Sequence, residues 1–180
     1  PLTKADINPS NAGTGATPDS SIVYLADPST PNNVTEYGFE ISKRYVSVRG
    51  VTTSSGREAS LNPCGSATER DSISSSTLAG GLGFYGVKES VVSKCTIKDH
   101  INWHSSGDGT PGTRSTDGVI VRGNTIALGT MNAGARSMSM RWFTQRCYTD
   151  SNTITGSFTQ SGTNDDAGIA CIIYNSSNNT

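Results

Sequence analysis

The amino-acid sequence predicts an all-β protein built as a solenoid of stacked coils, and three observations lead there. The triplet Asn-Thr-Ile occurs twice, as Asn124-Thr125-Ile126 and Asn152-Thr153-Ile154, each closing an alternating run, and the segment Val91 to Ile97 aligns with both. Ile97, Ile126 and Ile154 are thereby spaced by 29 and 28 residues, a period that suits a fold in which each unit buries its apolar face only against its neighbours. The composition agrees: only 33% of residues are apolar and 20 are glycine, a balance made for many short strands and turns, not for packed helices.

Residues 1–34, rich in Pro, Asn, Ser and Thr around the apolar island Ile22-Val23-Tyr24-Leu25, read as a leading, capping segment. A solenoid has to cover its open end, because bare terminal strands expose unpaired backbone. Coils are expected over 35–180. The first pairs Gly38-Phe39-Glu40-Ile41 with Tyr45 to Thr52. The arrangement returns as Gly83-Phe84-Tyr85-Gly86 with Ser90 to Ile97, and as Ser137-Met138-Ser139-Met140 with Cys147 to Ile154. Each half alternates with period two, so one face points inward. A fourth copy starts at Gly168 and is cut short in its second half, which leads us to expect a fragment of a longer chain. Three loop excursions are predicted, at 53–80, 98–117 and 127–136.

A formal net charge of −1 over 180 residues gives no electrostatic reason to expect nucleic acid as a partner. No apolar run is long enough to insert into a membrane. The four cysteines (Cys64, Cys95, Cys147, Cys171) have neither CxxC nor Cys/His spacing, so no metal is expected and they read as buried free thiols. Nothing in the sequence asks for a cofactor.

The phrases Gly83 to Ile97 and Asp117 to Ile126 resemble coils of the right-handed parallel β-helix proteins related to pectate lyases, over roughly residues 36–180. The resemblance implies a right-handed parallel β-helix and an activity directed at long carbohydrates. Within that superfamily the Ser/Thr/Asn/Gly-rich coils and large excursions look most like a bacteriophage tailspike or tail-fibre adhesin. That likeness implies a homotrimer on the virion tail, outside the cell, binding a bacterial surface polysaccharide and in many cases depolymerising it. A secreted polysaccharide lyase or hydrolase, or a non-enzymatic adhesin, are the alternatives. Thr116-Asp117-Gly118 also resembles an element of the polygalacturonase branch, although Ser115 stands where that branch has Asn.

Glycosidic hydrolysis needs two carboxyl groups across the scissile bond. Asp99, Asp108 and Asp117 bracket the second excursion and form the catalytic shortlist. Elimination from a uronic acid would need a base, for which His100 and His104 are candidates, and a cation to neutralise the substrate, for which Arg114 and Arg122 are candidates. Binding asks only for an aromatic face with polar neighbours: Trp103 with His100, Asn102 and His104, or Trp142 with Arg141. Asn124 and Asn152, with Cys95 in the same slot, are expected to form an internal ladder that serves turn backbone groups and no ligand.

Overall fold

The computed structural model describes residues 5–7, 22–26, 35–36, 38–54, 58–61, 70–104, 116–131, 138–141, 144–158 and 171–174. They form an all-β parallel β-helix in which three parallel sheets surround one apolar core. The first sheet holds β1 (Ala5–Ile7), β4 (Phe39–Ile41), β7 (Ala59–Leu61), β10 (Leu82–Tyr85), β13 (Ile101–His104), β16 (Met138–Arg141) and β19 (Cys171–Tyr174). The second holds β2 (Ile22–Leu25), β5 (Val46–Arg49), β8 (Ser72–Ser74), β11 (Val91–Ser93), β14 (Ile120–Arg122) and β17 (Tyr148–Asp150). The third holds β3 (Thr35–Glu36), β6 (Thr52–Thr53), β9 (Thr77–Leu78), β12 (Thr96–Ile97), β15 (Thr125–Met131) and β18 (Thr153–Phe158). Every strand pairs with the strand three places away in the chain, so each coil contributes one strand to each sheet.

The isoleucine file expected from the repeat is present. Ile97 pairs with Ile126 and Ile126 with Ile154, and Leu78 continues the column one coil earlier. Leu78, Ile97 and Ile126 are fully buried. The first sheet contributes Phe39, Ile41, Leu61, Leu82, Phe84 and Ile101 to the same core. The second contributes Val48, Ile73, Val92 and Val121.

What bends the chain from sheet to sheet is a pair of stacked left-handed residues. At the corner leading into the second sheet, Tyr45, Arg70, Glu89, Gly118 and Arg146 all have positive φ. At the corner between the second and third sheets the same holds for Gly50, Ser75, Lys94, Gly123 and Ser151. A single left-handed residue turns the backbone sharply, and for residues other than glycine it costs about 1–2 kcal/mol. The following residue points inward and supports its neighbour. Asp71 Oδ1 accepts from Val46 N–H at 2.7 Å, Ser90 Oγ from Asp71 N–H at 3.1 Å, and Ser76 Oγ from Val51 N–H at 3.2 Å. In the fifth and sixth coils this role passes to asparagine. Asn124 Oδ1 accepts from Cys95 N–H at 2.9 Å and Asn152 Oδ1 from Asn124 N–H at 3.0 Å. The asparagine ladder is therefore internal, as its sequence slot suggested. Cys95 and Cys147 are buried free thiols whose pKa values burial pushes up to about 11.

Four spans differ from the sequence reading. The span 53–80 is no excursion: β7, β8 and β9 lie in it and make a complete coil. Its strands are two or three residues long, too short for alternation to stand out among Ser, Gly and Pro. Within 98–117 the described residues include β13, and β15 runs into 127–131. The described parts of 1–34 are already β1 and β2, paired to β4 and β5. In addition, Ser90 to Ile97, which reads as one alternating stretch, is two strands on either side of the left-handed Lys94.

Candidate functional site

Alternation along the first sheet sends Leu82 and Phe84 inward, leaving Gly83 and Tyr85 for the outer face. Just before the strands, Glu58, Gly81 and His100 stand in line on three successive coils. The hydrogen bonds from Ala59 N–H to Gly81 O at 3.0 Å and from Leu82 N–H to His100 O at 2.8 Å fix that alignment. Gly81 leaves a gap in the middle of the column, so Glu58 reaches His100 across two coils: the Glu58 Oε2 to His100 Nε2 separation is 3.3 Å. On its other side Glu58 Oε1 accepts a short hydrogen bond from the Tyr85 hydroxyl.

The floor under this carboxylate is glycine, which leaves Glu58 and Tyr85 room for this arrangement. A Cβ on Gly83 would come within 2.9 Å of both Glu58 carboxylate oxygens and 2.5 Å of the Tyr85 ring, and one on Gly81 within 2.9 Å of the His100 carbonyl oxygen. Real Cβ atoms do not approach so closely, and Gly81 also has φ +89, where side chains are strained.

Asp99 completes the group, with Oδ2 at 3.3 Å from His100 Nδ1. The imidazole is thus held between two carboxylates, Glu58 and Asp99. The hydrogen bonds to Asp99 and then Glu58 outweigh burial and raise the His100 pKa to about 9. At neutral pH the ring is an imidazolium donating to both neighbours. Burial, and next the bond to Glu58, push the Tyr85 phenol well above its ordinary value, so it remains a donor. The side chains of Glu58 and His100 are 24% and 27% exposed and Asp99 is 53% exposed, which places Asp99 at the solvent edge of the cluster.

This arrangement sets a pH dependence. A histidine whose folded pKa lies above the unfolded value of 6.5 stabilises the fold fully below that value, and the contribution disappears as pH rises through about 9. We expect the unfolding free energy to fall between pH 6.5 and 9 in the parent protein and to stay level over that range in His100→Gln. Denaturant titrations at half-unit pH steps check this, and equal slopes in the two proteins would remove the imidazolium from the account.

Of the residues singled out from the sequence, Asp99 and His100 come together here. Asn102, partly exposed, shares a register with Gly83 on the outer face, and His104 and Arg141 fall at the register of Tyr85. Trp103 shares the backbone register of Phe84. Asp117 lies at a different corner, the one leading into the second sheet. There it is bonded by Arg146 Nε at 2.7 Å, by Arg146 Nη2 and by Gln145 Nε2 at 3.2 Å. The Arg146 guanidinium holds the Asp117 carboxyl below the usual carboxylate range. Its position ties adjacent coils, with backbone bridges to Lys88 and Gln145, and does not bring it to Asp99. Arg122 is exposed at the end of β14, level with Ser93 and Asp150 on the second sheet. Asp108 and Trp142 lie outside the described residues.

Glu58 and Tyr85 were not singled out from the sequence. The available signal was the match of Ala59-Ser60-Leu61 to Leu82-Gly83-Phe84, which puts Glu58 immediately before a strand in the line of His100. Among the described residues no group of three or more His, Cys, Asp or Glu side chains is arranged to hold a metal ion, and no helix among them is long and apolar enough to cross a membrane. No family model, no curated protein and no solved structure matches the chain.

Proposed function

We propose that this β-helix binds a bacterial surface polysaccharide in the manner of a bacteriophage tailspike, as a homotrimer on the extracellular virion tail. The observation that carries the reading is the outward cluster of Glu58, Tyr85, His100 and Asp99 on its glycine floor. Carboxylates, a phenol and an imidazolium in one solvent-facing group offer acceptors and donors for sugar hydroxyls, and Tyr85 adds an apolar ring edge. A stacked parallel fold holds such groups still and repeats its outer face along a long ligand.

Depolymerisation is the second reading, and the specific support for it is that two carboxylates, Glu58 and Asp99, flank one imidazolium. Hydrolysis asks for one proton donor and one ionised carboxylate about a glycosidic bond. In that scheme His100 carries the proton and Asp99, the more exposed group, meets the substrate.

An array of capsular and O-antigen polysaccharides tests both. Tyr85→Phe and Glu58→Gln are each expected to weaken binding of the best ligand about tenfold, the loss of one or two well-made hydrogen bonds. Release of reducing ends would mark hydrolysis, and ultraviolet absorbance from an unsaturated product would mark elimination. Light scattering checks the trimer. Absence of binding anywhere on the array would remove the reading.

A further inference from the structure

The third sheet carries threonine at one register position on all six of its strands. Thr35 pairs with Thr52, Thr52 with Thr77, Thr77 with Thr96, Thr96 with Thr125 and Thr125 with Thr153. The residues that follow four of them, Thr53, Leu78, Ile97 and Ile126, are the buried inward column, so Thr52, Thr77, Thr96 and Thr125 belong to the outer face. Thr52, Thr77 and Thr96 are partly exposed, and Thr125 and Thr153 are exposed.

Strand propensity favours threonine on a solvent face, but it favours valine, isoleucine and tyrosine as well. The comparison is an outer column of the second sheet, under the same pairing constraints, which reads Leu25, Arg49, Ser74, Ser93, Arg122 and Asp150. Packing on the pleated surface therefore does not demand one residue type. A uniform column asks for a uniform partner.

We propose that this column is a contact surface for a neutral, extended polysaccharide lying parallel to the stack. The inference rests on the polysaccharide reading above and adds a second face and a ligand class to it. Successive hydroxyls stand ~4.8 Å apart, the spacing of paired strands, and each offers one donor and two acceptors beside a methyl group. A chain of pyranoses repeats its hydroxyls and apolar ring faces about once per sugar, close to one strand spacing. No charged residue stands in the column, which matches an uncharged ligand. Downstream of Thr96-Ile97 come Lys98 and Asp99, both exposed, so the ladder adjoins the corner that bears His100 and Glu58.

The test uses the strongest neutral ligand found on the polysaccharide array. The triple variant Thr96→Val/Thr125→Val/Thr153→Val keeps the β-branched shape that suits a strand and removes the hydroxyls. Affinity is expected to fall at least about tenfold, with added salt making little difference. The corresponding triple serine variant keeps the hydroxyls and is expected to bind within about threefold of the parent; circular dichroism and thermal unfolding verify that both fold. Fragments of the ligand should gain affinity with length until the column is covered, at about six sugars. Parent-like binding by the valine variant overturns the inference, and if Tyr85→Phe still loses affinity in that case, the reading of the first sheet survives alone. A parent protein that binds no array member overturns both.

Discussion

Asn124→Ala is expected to lower the unfolding free energy by about 3–5 kcal/mol, the largest loss of any single polar substitution in the described core. The side chain is 2% exposed and bonded in three directions. Its Oδ1 accepts from Cys95 N–H at 2.9 Å, and its Nδ2 donates to Val92 O at 3.2 Å and to Asn152 Oδ1 at 2.9 Å. Alanine leaves a buried N–H and a buried carbonyl without these partners, each worth about 1–3 kcal/mol when unsatisfied. Domains of this kind are stable by only about 5–15 kcal/mol, so the melting temperature should drop by about 10 °C. Asn152→Ala should cost less, because Asn152 is only partly buried. Equilibrium denaturation of the two variants measures the difference. A loss under about 1 kcal/mol for Asn124→Ala would mean that the ladder is not what joins these coils.

The second large effect is at Gly81, where stability and site geometry depend on one missing atom. Alanine there pays twice: for φ +89, and for a Cβ placed 2.9 Å from the His100 carbonyl oxygen and 3.1 Å from its ring. That carbonyl cannot withdraw freely, since it accepts from Leu82 N–H at 2.8 Å. Left-handed strain of about 1–2 kcal/mol and overpacking of about 1–3 kcal/mol add to a loss of about 3 kcal/mol. Gly123→Ala is the control. Its φ is +62 but nothing lies within 4 Å of the added Cβ, so only the backbone cost of about 1 kcal/mol is expected. Gly81→Ala should also displace the imidazole from Glu58 and flatten the stability change between pH 6.5 and 9. Equal losses at the two glycines would show that His100 does not crowd this position.

Much of the fold was legible because it repeats. The Asn-Thr-Ile slots carry their own register, and one aligned triplet places an inward isoleucine, an outward threonine and a corner amide at once. The coil at 58–78 was not legible, since Ala59–Leu61, Ser72–Ser74 and Thr77–Leu78 are too short to declare a period and lack the asparagine that marks later corners. Ser76 does there what Asn124 does later. Half of the candidate site was readable for a related reason. Asp99 and His100 are chain neighbours of unusual chemistry. Glu58 is an ordinary glutamate in a segment taken for a loop, and Tyr85 reads as one more alternating strand residue.

By itself the sequence determined the class of fold, the axis along which the coils stack and the inward amide and isoleucine columns, because these follow from local alternation and from spacing along the chain. Only the tertiary structure decided which polar groups meet. Glu58 and His100 are 42 residues apart and come within 3.3 Å solely because a single coil separates theirs and its Gly81 leaves the space between them open. The same stacking sets Asp99 and Asp117 at separate corners. Contacts across coils depend on how many residues each turn consumes, here 25, 19, 29 and 28 in succession. Those lengths are summed over turns whose conformation no local pattern specifies, so a meeting between distant side chains is settled only when the whole stack has closed.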